Sequence, residues 1–229
     1  MVEVSEKKFL REGVDPRSAY RGEHLVSQYT KSMLRGGGLP STEEVIRELH
    51  TRLFRPLVSE DTKSILGSYR STNAYIIGSG AEIVPYWQLG LKMRSFGEEL
   101  DRKLKNLKYG ASNIVSILET AALAHYDLVI IHPFSDGNGR IARRMMNLIL
   151  QKFGCKRIII GPKDRKKYLD SLEKVNLDGN LEHFNLFLAR KLLESYKGSQ
   201  RGPDLQGESN LRHYINKIEE RYSNQKRHA

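Results

Sequence analysis

Nine consecutive residues read His132-Pro133-Phe134-Ser135-Asp136-Gly137-Asn138-Gly139-Arg140, and Arg143 follows three positions later. These residue types at this spacing can hold a polyphosphate and deprotonate a hydroxyl beside it. Gly137 and Gly139 let backbone N–H groups approach a ligand with no Cβ in between. A helix starting at about Asn138 turns its unpaired N–H groups, and the positive end of its dipole, toward the same place. That arrangement is an anion site without a P-loop, and the chain contains no Gly-x-x-x-x-Gly-Lys-Ser/Thr run. Arg140 and Arg143 share one face of this helix, so each can grip outer phosphate oxygens with two parallel N–H donors. Arg144, one step round, reads as a solvated charge. Asp136 offers a hard oxygen to Mg²⁺ bridging two phosphates. His132 lies just ahead of the helix, where the positive end of the dipole favours a neutral imidazole able to accept a hydroxyl proton. Pro133 stiffens the loop and Phe134 is expected to pack inward. The chemistry asked of such a site is positioning and charge stabilisation.

The elements that must position these residues are helical. A helix is expected over 23–34, closed by Gly36-Gly37-Gly38 and Pro40. A second runs from about Glu43 to Arg55, with Ser41 and Glu44 at capping-box spacing and a stripe of Val45, Ile46, Leu49, Leu53 and Phe54. Residues 73–77 and 82–84 are short β-prone runs around Gly78-Ser79-Gly80, so a hairpin is expected over about 73–84. Helical periodicity resumes over 86–107 and 112–131. In the latter, Ile114, Ile117, Leu118, Ala121, Ala122, His125, Leu128 and Val129 leave little exposed face, which marks a buried central helix. The helix after the loop runs to Phe153, anchored by Ile141, Met145, Met146, Leu148 and Ile149. Further helices are expected over 163–176, 180–196 and 209–224, with 198–207 as a linker. The fold class is therefore all-α with one small β-hairpin. His125 is read as a core histidine, and His50 and His183 as structural residues on helices.

Composition narrows the setting. The chain has 229 residues, is 39% hydrophobic and contains one cysteine, Cys155, which excludes an intrachain disulfide and a zinc site of paired cysteines. No apolar run approaches the roughly 20 residues of a bilayer span, and the first twelve residues lack a signal-peptide centre. A cytoplasmic location is the expectation. The 38 basic and 27 acidic residues leave a net charge of +11, spread along the chain without forming a tail. Solubility accounts for that spread better than a dedicated anionic partner.

The signature resembles that of the Fic family, His-Pro-Phe-x-Asp/Glu-Gly-Asn-Gly-Arg, at every specified position. The likeness extends over roughly Glu43 to Tyr196, taking in Glu48-Leu49-His50, Leu53-Phe54 and Gly67-Ser68-Tyr69-Arg70. It implies a Fic-type helical domain over 41–197, an N-terminal extension over 1–40, and a linker with a C-terminal helix over 198–229. It also implies a protein adenylyltransferase that moves AMP from Mg-ATP to a Ser, Thr or Tyr hydroxyl of a target protein. In that assignment His132 is the general base, Asp136 holds Mg²⁺, and Gly137, Asn138 and Gly139 cradle the phosphates. Arg140 contacts the outer phosphates and Arg143 matches the second family arginine. The segment 73–84 resembles the family's flap, which pairs with an extended target segment through main-chain bonds. Gly139 stands where a kinase branch of the family carries lysine, which favours AMP transfer. Many members carry an inhibitory Ser/Thr-x-x-x-Glu-Gly/Asn helix. Glu12-Gly13 matches it in part, with Lys8 at the Ser/Thr position, so Glu12 is the regulatory candidate.

Three alternatives are weaker. Other chemistry of the same family, such as UMP or phosphocholine transfer or AMP removal, uses the same residues. Gly137 to Ala142 fits Gly-x-Gly-x-x-Ala, with Leu128–Ile131 and Arg157–Ile160 as flanking strands of a dinucleotide fold. However, five residues intervene where that fold needs an immediate turn. A non-catalytic basic module binding nucleic acid explains the charge and leaves the signature unexplained, so nucleic acid is not the expected partner. Self-association is left open.

Overall fold

The computed structural model describes residues 16–36, 40–59, 63, 65–76, 78–196 and 205–227. Among the described residues eight α-helices form: α1 (Pro16–Arg35), α2 (Thr42–Phe54), α3 (Leu89–Asn106), α4 (Ile114–Ile131), α5 (Asn138–Lys152), α6 (Arg165–Asp178), α7 (Glu182–Tyr196) and α8 (Leu205–Arg227). Short 3₁₀ turns lead into α3, α4 and α6. The α1 helix starts seven residues before its expected position, with Pro16 in its first turn, where a missing N–H costs no hydrogen bond. The last helix likewise begins at Leu205, inside the expected linker.

The chain forms two compact units, one of residues 1–105 with 124–145 and the other of residues 106–123 with 146–229. In the first, α2 begins at the expected capping box. The Ser41 N–H donates to Glu44 Oε2 at 3.0 Å, and the Glu44 N–H returns to Ser41 Oγ at 3.4 Å. A second cap comes from far along the chain. The Thr42 N–H and hydroxyl donate to Asp101 Oδ1 of α3 at 3.1 and 2.6 Å, a carboxylate at the positive end of α2. The apolar stripe of α2 is buried, and α1 packs against this helix so closely that a Cβ on Gly22 would lie 2.2 Å from the Leu53 carbonyl oxygen.

In the second unit α6, α7 and α8 pack in succession. Tyr168, Phe184 and Phe187 form an aromatic cluster between α6 and α7, with ring centroids 6.0–6.2 Å apart. Ion pairs Arg190–Glu219 and Arg221–Glu182 connect α7 to α8.

Two expectations need correction. No strand is present among the described residues, so the hairpin over 73–84 is not formed. A two-stranded ribbon alone is marginal, and here the backbone of the segment is committed elsewhere. The Val84 N–H donates to the Ile130 carbonyl at 3.2 Å, and the Val84 carbonyl accepts from Arg70. Asn73 Oδ1 accepts from the Tyr86 N–H at 3.4 Å, drawing the two ends of a loop together without a ladder. The dinucleotide fold is likewise excluded. Leu128–Ile131 is the last turn of α4, and Ile158 bonds through both its N–H and C=O to the side-chain amide of Asn147, at 2.7 and 2.9 Å.

Residues Ala111–Ile131 make a continuous stretch long and apolar enough, by length and composition, to cross a bilayer. This differs from the sequence expectation because small and polar residues between the apolar ones do not interrupt a helix. Half of the stretch is buried inside the protein, and it carries the fully buried His125. Those features mark a core helix.

The remote cap on α2 is open to test. Asp101→Ala should lower the unfolding free energy by about 1–2 kcal/mol in urea titrations, the usual loss of a charged cap. An unchanged midpoint would show that the Asp101 contact carries no stability.

Candidate active site

The site grows from the end of α4, entirely within the first unit. A helix leaves its last carbonyls without internal partners, and here those of Leu128, Val129 and Ile130 are met by residues outside α4. The His132 N–H donates to the Leu128 carbonyl at 3.1 Å. His132 Nδ1 lies 3.1 Å from the Val129 carbonyl, and Ile130 accepts from Val84. To reach back over the helix end, His132 adopts φ 51°, the only positive φ of a non-glycine residue among those described. This left-handed turn is a common way to stop a helix, although it is strained for a residue with a Cβ. A carbonyl can only accept, so the bond to Val129 places the neutral ring's proton on Nδ1 and makes Nε2 the basic nitrogen.

Beyond His132 the loop is fixed by its own side chains. Asn138 Oδ1 accepts from the Phe134 N–H at 2.9 Å, and Asn138 Nδ2 donates to the Phe134 carbonyl at 2.7 Å. One amide therefore closes the loop like a miniature strand pair. Phe134 is fully buried, as expected. Asp136 is buried as well; its Oδ1 accepts from the Gly137 N–H, and its Oδ2 faces Arg140 Nη2 at 3.8 Å. Gly137 has φ 80°, and a Cβ there would come within 2.4 Å of the Phe54 ring, so both backbone and space require glycine. The Ile141 N–H bonds to the Gly137 carbonyl at 2.9 Å and opens α5, whose stripe of Ile141, Met145, Met146, Leu148 and Ile149 is buried as expected.

The structure brings His132, Asp136, Gly137, Asn138, Gly139 and Arg140 together at the start of α5. The Arg140 guanidinium lies 4.5 Å over the Phe54 ring, one quarter exposed, with its donors near the Asp136 carboxylate. Arg143 lies one turn on, where its charge acts on His125. Arg144 forms an ion pair with Glu23 of α1. Glu12 lies outside the described residues.

Two residues of this site were not singled out from sequence. His50 was read as a structural helix residue, and the structure places it directly beneath the loop. Its ring stacks on Phe134 at 4.0 Å and on Phe54 at 4.7 Å. Its Nδ1 accepts from the Gly67 N–H at 3.1 Å, while the other ring nitrogen bonds the Asp136 main chain. Arg70 is the second, buried behind His132 with its Nε–H on the His132 carbonyl at 2.7 Å. Both lie in segments that carry the family likeness, and only the fold shows what each of them holds.

The donor set suits Mg²⁺ bound together with a polyphosphate. Asp136 supplies one anionic hard oxygen beside backbone N–H groups and Arg140. No group of three or more His, Cys, Asp or Glu side chains able to hold a metal is found among the described residues. An ion that keeps its waters and shares phosphate oxygens needs only such a single carboxylate.

Burial, aided by the Arg140 charge and opposed by the Asp136 main-chain bond, pushes the His50 pKa down to about 4. Its unfolded value is about 6.5. Between these values the unfolded chain binds a proton that the folded chain refuses, so stability falls as pH falls through this window. His125, pushed to about 3 by burial and Arg143, acts in the same direction. Asp127, raised to about 6 by burial and Glu99, opposes both below pH 6. The His50 share is isolated by comparison with His50→Gln. The stability advantage of wild type over this variant should shrink by about 2 kcal/mol between pH 7.5 and 5. An advantage constant over that range would show that the ring titrates normally in the folded protein.

Comparison with known proteins agrees with this geometry. The sequence model of the Fic/DOC family matches residues 40–150. The protein adenylyltransferase Fic of Nematostella vectensis is 34% identical over 180 residues, covering 75% of this chain and 38% of that protein. The chain thus spans little more than a third of that relative's length. Among solved structures, Fic-1 from C. elegans superposes with a TM-score of 0.63 at 23% identity, over 92% of this chain and 55% of that one. BepC, a VirB-translocated effector of Bartonella tribocorum solved with bound AMPPNP, superposes with a TM-score of 0.56 at 19% identity, over 81% of this chain and 96% of that one. The eight helices, the intact signature and the matched segment agree, and this chain belongs to the Fic/DOC family.

Proposed function

We propose that this chain is a protein adenylyltransferase, moving AMP from ATP to a hydroxyl of a target protein, with His132 as general base. The observation that carries the reading is the His132 Nδ1 bond to the Val129 carbonyl, which makes Nε2 the proton acceptor beside a helix N-terminus built for phosphates. The naming of the 34%-identical relative as an adenylyltransferase supports it.

The residues divide the work as follows. The N–H groups of Asn138 and Gly139 at the start of α5 cradle the phosphates, Gly137 lets the ligand approach, and Arg140 and Arg143 hold the outer phosphates. Asp136 would hold Mg²⁺, which supplies charge neutralisation on the phosphate oxygens when bound. A hydroxyl oxygen of the target attacks the α-phosphorus while its proton passes to His132 Nε2. The bond from that phosphorus to the β-phosphate bridging oxygen breaks, and pyrophosphate leaves. Protonated His132 then returns its proton to solvent.

The target's approach follows from the loop over 73–84. By its likeness to the family's flap, this loop would pair with an extended target segment through main-chain bonds. Recognition of this kind fixes register and leaves side-chain choice broad.

The test is incubation with Mg²⁺ and ATP labelled on the α-phosphate. Label should enter the protein itself or lysate proteins and fall by on the order of 10²–10⁴ in His132→Ala, the usual worth of a general base. Transfer from γ-labelled ATP alone would make the enzyme a kinase instead. Equal α-labelling by His132→Ala would remove His132 from the base role.

A further inference from the structure

We propose that Arg70 is a positioning residue, binding the base and both ends of the 73–84 loop into one body so that the incoming hydroxyl is registered to His132. The proposal rests on the reading of His132 as base and adds to it the device that sets its distance from the target-bearing loop.

Arg70 is buried, and all its bonds end on main-chain carbonyls. Its Nε–H donates to the His132 carbonyl at 2.7 Å, Nη1 to the Thr72 carbonyl at 2.7 Å, and Nη2 to the Val84 carbonyl. Its own backbone N–H donates to the Pro133 carbonyl at 2.9 Å. Thr72 and Val84 are the two feet of the loop, while His132 and Pro133 open the signature. A buried cation retained for stability alone usually pairs with a carboxylate. This one spends its three nitrogens on three separate pieces of backbone, which only a planar fork can do. The Val84 N–H adds a fourth tie, to the Ile130 carbonyl. A shift of either foot therefore passes to the residue that holds the proton acceptor. Nothing in this arrangement reaches Gly137–Gly139, so nucleotide binding and hydroxyl registration are separable.

The separation can be measured on the full chain. Arg70→Lys keeps the charge and cannot span three carbonyls. Nitrogen-15 NMR of labelled histidine should show His132 as the Nδ1–H tautomer in wild type and as a mixture in Arg70→Lys. Mg-ATP binding should stay within about threefold by calorimetry, while α-label transfer falls at least about 100-fold, the scale of a 1 Å misplacement. Retention of both the Nδ1–H signal and the transfer rate would overturn the proposal. So would loss of ATP binding in step with transfer, because that pattern belongs to a general staple of the loop. If Arg70→Lys does not fold, Val84→Pro decides the matter by removing the tie to Ile130 with Arg70 in place. Shifted His132 signals in that variant support a shared anchor, and unchanged ones overturn it. If wild type transfers no label, the adenylyltransferase reading fails, yet the tautomer measurement still judges Arg70.

Discussion

The structure of the site follows from one requirement, that the carbonyls at the end of α4 find donors. A buried helix cannot leave its final carbonyls without partners, since each such group costs on the order of 1–3 kcal/mol. Water could satisfy them on a surface. Here the helix stops in the protein, and the donors come from His132 and Val84, while Arg70 bonds the carbonyl of His132 just beyond the helix end. Satisfying the helix end thus positions His132, anchors the 73–84 loop and fixes the start of the signature. The strain of φ 51° at His132 is held by these same bonds.

The far side of the loop obeys a packing constraint. Phe54, His50 and Phe134 stack in sequence, and the Arg140 guanidinium covers the Phe54 ring from above. The ring of Phe54 fills the space where a Gly137 side chain would go, which connects the last turn of α2 with the first of α5. His50 serves this stack only as a neutral ring, because one nitrogen accepts from Gly67 while the other serves the Asp136 main chain. Hydrophobic packing and anion binding therefore share a wall.

What sequence could and could not reveal divides along locality. The α2 capping box, the buried stripe of α5, the inward Phe134 and the residues of the signature are local patterns, and each was legible. The hairpin was misread because β-prone runs around Gly78-Ser79-Gly80 satisfy local rules, while the competing donors and acceptors, Arg70 and Ile130, lie outside the segment. His50 and Arg70 were passed over for the same reason. Both lie in segments that carry the family likeness, yet nothing local says that His50 sits beneath the loop or that Arg70 reaches the carbonyls of His132 and Val84. The Asp101 cap of α2 spans 59 residues and has no local signal either.

The choice of partners also bears on how the site responds to charge. His132 is oriented by a carbonyl, Arg70 is held by carbonyls, and His50 is held by main-chain groups. A carboxylate in any of these places would fix orientation too, yet it would add a negative charge at the start of α5 and favour an imidazolium at His132. Main-chain groups fix the geometry without that charge. The one buried carboxylate at the site, Asp136, stands at the positive end of α5, where anionic charge is stabilised, and faces Arg140. A polyphosphate arriving there competes with Asp136 for the same arginine. A divalent cation held by Asp136 would remove that competition, which is a physical reason for an acidic residue beside Arg140 at the start of α5.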